Sequence, residues 1–269
     1  MQSFVSSFRA CFPPVGLVLA LCFAVHAPLA AADGRTAEAD ALYAAALKQD
    51  DVRAIKILLR AQKLAPRDKR ISYRIGFLFH KMNRRPEARA AYERTIELDA
   101  CHTRALNNVG NILKDQGLRD EAVARYSQAI QCDPEFSVGH YNLANLFRSA
   151  KRYTKAVKHY EAALAVTPNH YRSHHNLGLI YLRMARAAGA ESVERSQFSD
   201  RARRHFGRAC DLNPRDPLNF YNRGRLFEMH ADRTKAVSDY KRALSLLKTN
   251  SAFKNRLRKR IQRLQVPRS

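Results

Sequence analysis

The chain predicts an all-α solenoid of about six helix-turn-helix repeats closed by a C-terminal capping helix, and three periodic observations carry that prediction. Small residues recur close to every 34 positions, at Gly76, Gly110, Ala144, Gly178 and Gly224. An alanine stands twelve residues after four of them, at Ala88, Ala122, Ala156 and Ala236, and 24 after Gly178, at Ala202; Ala54 precedes the series. Four further on comes a large side chain, Leu58, Tyr92, Tyr126, Tyr160, Phe206 or Tyr240, then Ala61, Thr95, Ala129, Ala163, Ala209 or Ala243 three later. Pro66, Pro134, Pro168 and Pro214 close most units.

Each position has a physical reason. A small residue inside the first helix and an alanine early in the second let two antiparallel backbones approach closely, with the ring filling the adjoining groove. The second alanine admits the next unit. Proline has no N–H and stops the second helix, yet it is tolerated where the next helix begins. This spacing resembles the tetratricopeptide repeat (TPR), which implies a right-handed superhelical stack.

In chain order, residues 1–32 are expected to be a secretory signal peptide. Arg9 precedes an apolar run from Val15 to Val25, and Ala30, Ala31 and Ala32 stand before Asp33. The run is too short to span a bilayer comfortably. Export to a bacterial periplasm, or through a secretory pathway to the exterior, follows; an uncleaved N-terminal tether and a mitochondrial presequence are the alternatives. Residues 33–68 form a degenerate first repeat, with Leu42 where the small residue should be. Residues 69–248 hold five repeats, the fourth of which carries a twelve-residue insertion within about 184–200, where Gly189 and Ser192 mark a turn between lengthened helices. Tryptophan, common near the start of this repeat, is absent, and Leu106, His140, His174 and Phe220 stand there. Residues 249–269 give a basic capping helix and tail, with Phe253, Leu257, Ile261 and Leu264 on one face, because a terminal repeat needs a polar outer surface.

Charge bounds the partners. Lysine and arginine number 48 against 24 acids, a net charge of +24, and only Arg9 of these lies in the first 32 residues. The densest stretch contains Lys254, Arg256, Arg258, Lys259, Arg260 and Arg263. Such a field suits anionic lipid, envelope polyanions or acidic proteins; nucleic acid is not expected of an exported chain. Cys101, Cys132 and Cys210 lie beyond the signal, an odd number that makes no simple disulfide framework. Cys132 and Cys210 read as small core residues, and a Cys101–Cys132 bridge is the geometric alternative.

No catalytic constellation is present: the chain lacks a Gly-rich phosphate loop and a nucleophile elbow. His170, His174 and His175 have no carboxylate or thiol at ligand spacing, so neither metal nor other cofactor is expected.

Binding is the better expectation. Residues of the first helices that face away from the second ones line the inner surface, and asparagine recurs there two before the small residue, at Asn108, Asn142, Asn176 and Asn222, with Asn111 and Asn145 one after it in two repeats. Asparagine costs a helix about half a kcal/mol relative to alanine, so its recurrence asks for a reason. A ladder of amides can hold an extended peptide by its backbone, and duplication of a repeat with local hydrogen bonding is the other explanation. Tyr73, Tyr141 and Tyr221 accompany the ladder, with Arg104, Arg148, Arg172, Arg183 and Arg225.

The stretch Thr103–Tyr181, with Asn107-Asn108-Val-Gly-Asn-Ile-Leu-Lys-Asp-Gln-Gly and Tyr141-Asn-Leu-Ala-Asn-Leu, looks like the superhelical repeats of O-linked N-acetylglucosamine transferases. That resemblance implies that Asn108, Asn142 and Asn176 contact substrate backbone, and it does not extend to a transferase domain. The repeats that clamp the C-terminal carboxylate of chaperones agree in type only at Asn111, Asn142 and Arg172, which omits two of three cations. The expectation is therefore a non-enzymatic exported scaffold or adaptor taking an extended, acidic or flexible protein segment; the alternative is a polyanion or membrane-surface binder acting through its charge. Self-association is left open.

Overall fold

A computed structural model describes residues 26–248 and 252–266, and among them it contains thirteen α-helices and no strand. The helices pair as α1 (His26–Ala46) with α2 (Asp51–Leu64), α3 (Lys69–Lys81) with α4 (Arg85–Leu98), and α5 (Thr103–Asp115) with α6 (Arg119–Cys132). They continue as α7 (Ser137–Ser149) with α8 (Tyr153–Val166), α9 (Tyr171–Ala187) with α10 (Val193–Leu212), and α11 (Pro217–Met229) with α12 (Arg233–Leu246). Each pair packs on the next, and α13 (Ala252–Gln265) closes the series against α12. Arg9 and the Val15–Val25 run lie outside the described residues. Helix α1 passes through the expected cleavage position, and Ala39 and Ala46, C-terminal to it, are buried.

The periodic residues do the packing assigned to them. A Cβ placed on Gly76, Gly110, Gly178 or Gly224 would come within 2.6–2.7 Å of the ring of Tyr92, Tyr126, Phe206 or Tyr240 respectively. These rings are fully buried, together with the alanines four before them. In the first pair the volumes are traded: Leu42 supplies bulk on α1, and Leu58 replaces the ring on α2.

Four of the six turns between paired helices share one feature. Asn83, Gly117, Lys151 and Ala231 adopt positive φ just after the first helix, where the chain reverses. Only Gly117 does so without steric penalty, and Asn83 is the better tolerated of the others. The α1–α2 pair has no such residue, and neither has the α9–α10 pair. Its first helix runs 17 residues and its second 20, against 13 and 14 in α7 and α8, and Ser192 caps α10 by accepting from the Arg195 N–H at 3.1 Å.

Cys101, between α4 and α5, is bonded to Cys132 at the end of α6, with Cα atoms 5.3 Å apart. Cys132 is thus a cross-link rather than a core filler, because it sits at the half-exposed helix end facing the preceding turn. Cys210 is buried and free, and burial pushes its thiol up to about 12.

The cap is held by charge as well as by Leu257 and Ile261. Glu228 of α11 accepts from Arg260 at 2.5 Å, Arg263 at 2.8 Å and the Tyr240 hydroxyl at 2.7 Å. Two of the basic residues expected to form a polyanion patch therefore dock the cap instead. Arg256, Arg258 and Lys259 remain exposed.

Candidate functional site

The asparagines join successive repeats. The Tyr126 hydroxyl donates to Asn111 Oδ1 at 2.8 Å, and Asn142 Nδ2, one repeat on, donates to Asn107 Oδ1 at 2.8 Å and leans toward Asn111 Oδ1 at 3.5 Å. One period later the Tyr160 hydroxyl donates to Asn145 at 2.5 Å, while Asn176 Nδ2 reaches Asn145 Oδ1 at 3.1 Å and the Tyr160 oxygen at 3.0 Å. Asn176 and Asn222 are buried. Asn222 accepts from Arg225 at 3.1 Å, because the preceding repeat has Phe206 in place of a tyrosine. The amide donors of Asn142 and Asn176 thus stitch the stack together. Asparagine one position after the small residue and tyrosine fifteen later occur together in these two repeats, a pairing visible in the sequence that points to this network. Where Phe77 replaces the asparagine, the buried Tyr92 hydroxyl has no hydrogen-bond partner, and Asn108 lies near it outside bonding geometry.

The three tyrosines expected along the inner face are half-buried at the seams. Tyr73 lies on Tyr92 and His102, Tyr141 on Tyr160 and His170, and Tyr221 on Tyr240 and Phe253, with centroids 4.7–5.9 Å apart. Each spans from its own repeat to the start of the next.

The arginines differ from one another. Arg104 and Arg172 are exposed in the first turns of α5 and α9, and Arg172 bonds Tyr171 at 3.1 Å. Arg148, Arg183 and Arg225, from α7, α9 and α11, converge on one cleft of about 510 Å³. Arg186 joins them from the extra turn of α9, and Tyr153, Leu179 and Ala187 complete much of the wall. Arg186 was not expected on this face. The signal was available, since residues three apart share a helix face once the insertion is read as continuing α9 past Arg183.

The cleft is electrostatically one-sided. Arg183 lies over the Tyr153 ring at 5.5 Å and Arg225 over Tyr221 at 5.7 Å, whereas Arg148 Nε is buried with no hydrogen-bond partner. Burial pushes the neighbouring Tyr160 hydroxyl up to about 12, opposed by the Arg148 charge. Arg186 is exposed overall, but the partial burial it has, then the like charges of Arg225 and Arg260, disfavour its cation. Arginine stays charged regardless, so the strain is electrostatic rather than a loss of protons.

Histidines form two equivalent pairs between helices. His140 Nδ1 is 3.1 Å from His159 Nδ1, and His174 Nδ1 is 3.0 Å from His205 Nδ1. Nε2 of His140 and of His174 lies 3.0 Å from the carbonyl of Pro134 or Pro168 and must donate to it, so in the neutral pair Nδ1 accepts from its partner. Of the other two in the local cluster, His170 bonds Ser173 at 2.7 Å and His175 bonds Asn219 at 2.6 Å.

Burial holds His159 and His205 down to about 4, aided by His140 and Lys158 in one case and by His174, Arg204 and Arg201 in the other. The unfolded chain takes up these protons near pH 6.5 while the folded chain refuses them. Stability is therefore expected to fall as pH drops from about 6.5 toward 4, read as a declining Tm. His159→Gln with His205→Gln should flatten that slope, and a wild-type Tm constant across the window would contradict the assignment.

Antiparallel helix pairs stacked around a periodic small–aromatic contact define an α-solenoid of TPR type, and sequence and structural comparisons place the chain among known ones. The family profile described as TPR repeat matches residues 110–149 and 144–184. That profile places tetratricopeptide repeats in the central residues 110–184, and the all-α repeat architecture continues on both sides of them. No curated protein matches the sequence. Among solved structures, Pseudomonas aeruginosa PilF superposes with a TM-score of 0.68 at 20% identity, covering 84% of this chain and 99% of that one. YrrB, described as a TPR protein with an unusual peptide-binding site, gives 0.60 at 18% identity, covering 77% and 97%. MamA gives 0.56 at 20% identity, covering 66% and 91%. At these identities the likeness concerns the fold. Among the described residues, no helix is long and apolar enough to cross a membrane.

Proposed function

We propose that the protein is a non-enzymatic, exported scaffold that takes an extended peptide segment of a partner protein along the face formed by its first helices. The observation that carries this reading is the cleft between α7, α9 and α11, where three successive repeats present arginine side chains to one space beside the Tyr153 ring. A repeat stack offers a long, pre-formed surface at little ordering cost to itself, which suits an extended ligand. YrrB, of the same fold, is described as having a peptide-binding site. The asparagine donors serve the scaffold, so recognition rests on the side chains around the cleft and on the exposed Arg104 and Arg172. Export is supported by the order Arg9, apolar run and alanines before Asp33, and by the Cys101–Cys132 bridge, which persists in oxidising compartments.

A displayed random-peptide library selected against the full chain tests the binding reading. Selected peptides should crosslink to a photoreactive residue at Tyr141 or Arg183 and not to one at Ala124 on α6. A library that yields no binder, or binders that crosslink only at α6, would sink it.

A further inference from the structure

Resting on that reading, we infer that the cleft between α7, α9 and α11 is an acidic-peptide site in which Arg148, Arg183, Arg186 and Arg225 bind the side-chain carboxylates of an extended segment. Four guanidinium groups border one space of about 510 Å³, within the size range of roughly 300–1,000 Å³ typical of ligand sites. Among the described residues, no carboxylate lies within ion-pair distance of any of the four, although fourteen other basic residues of the fold are so paired. Glu228, on α11 with Arg225, is already held by Arg260, Arg263 and Tyr240. Like charges gathered without partners oppose folding, and an anionic ligand relieves that opposition.

The arrangement also selects the form of the anion. The cations come from three consecutive repeats instead of converging on a point, and Tyr153, Leu179 and Ala187 lie between them. A compact phosphate would meet few of the four at once; a polypeptide alternating acidic and small apolar side chains can meet several and lay its apolar groups on the wall. Guanidinium forks match carboxylates in two parallel hydrogen bonds, and the arginine stacked on Tyr153 is already oriented. Arg186 reaches the site only because α9 is 17 residues long where α7 has 13, so the insertion has a consequence for binding.

The test is fluorescence anisotropy with the full chain and a labelled peptide of repeated Glu-Ala, beside its Gln-Ala counterpart. The Glu-Ala peptide should bind, and Arg183→Gln with Arg186→Gln should weaken it about ten-fold or more, since hydrogen bonds to charged groups carry most of the contact. Arg256→Gln with Lys259→Gln on α13 removes the same charge and should change affinity by less than about two-fold, as expected of solvent-exposed, screened charges that do not line the cleft. Circular dichroism of both variants should match the parent; if the α9 variant does not, Arg183→Lys with Arg186→Lys replaces it and should still weaken binding through loss of the fork. Equal weakening by the α13 variant, equal binding of the Gln-Ala peptide, or tighter α9-dependent binding of tripolyphosphate or of phosphatidylglycerol vesicles would overturn the inference. Neutral peptides that crosslink through position 141 would overturn it too while leaving the groove reading standing.

Discussion

Tyr126→Ala is expected to cost about 3–5 kcal/mol, the range for deleting a large buried side chain, and to do so in a particular way. The ring is wedged against Gly110 and fully buried, and its hydroxyl holds Asn111 at the seam with the following repeat. In a stack where each repeat contacts only its neighbours, a central defect uncouples the two ends. Urea unfolding should therefore become broad or biphasic as well as shift. A single transition displaced by less than about 1 kcal/mol would contradict the packing described. Phenylalanine at the same position isolates the hydroxyl and should cost about 0.5–1.5 kcal/mol, whereas Tyr92→Phe should be neutral or stabilising because that hydroxyl has no partner.

Breaking the Cys101–Cys132 bridge is expected to cost about 2–4 kcal/mol, because the bond closes a loop of 31 residues in the unfolded chain. That loop contains α5 and α6, one complete repeat, so the loss should concentrate in the middle of the stack. Chemical unfolding with and without reductant, beside a Cys101→Ser, Cys132→Ser variant, reads the effect. Cys210 serves as an internal control: its thiol should resist modification until the chain unfolds, since burial keeps it protonated. An unchanged unfolding midpoint under reduction would show that the bridge contributes nothing.

Much of the architecture was legible because one structural unit is repeated, and a packing contact that is ambiguous once becomes decisive when it recurs. Gly76, Gly110, Gly178 and Gly224 could be matched to their rings from spacing alone. The lengthened helices around Gly189 and Ser192 could be anticipated too, since the offset to Ala202 grew while the flanking pattern held. The site was less legible. Asparagine at a helix surface register has the same spacing whether its amide faces a ligand or the next repeat. The choice depends on whether acceptors of the preceding repeat lie within about 3 Å, as the Asn107 side-chain oxygen does for Asn142 and the Asn145 oxygen and Tyr160 hydroxyl do for Asn176.

By itself, then, the sequence determined the all-α repeat, its period, the glycine–ring contacts and the overall positive charge, because each is a property of local spacing or of composition. Tertiary structure alone decided which charges are neutralised and which are left unpaired. Arg260 and Arg263 stand in the same basic run as Arg256 and Lys259, yet two dock on Glu228 and two face solvent. Arg148, Arg183, Arg186 and Arg225 lie up to two repeats apart in the chain and meet only when α7, α9 and α11 stack side by side. Electrostatic environment is a sum over neighbours in space, and one-dimensional spacing fixes those neighbours only within a helix.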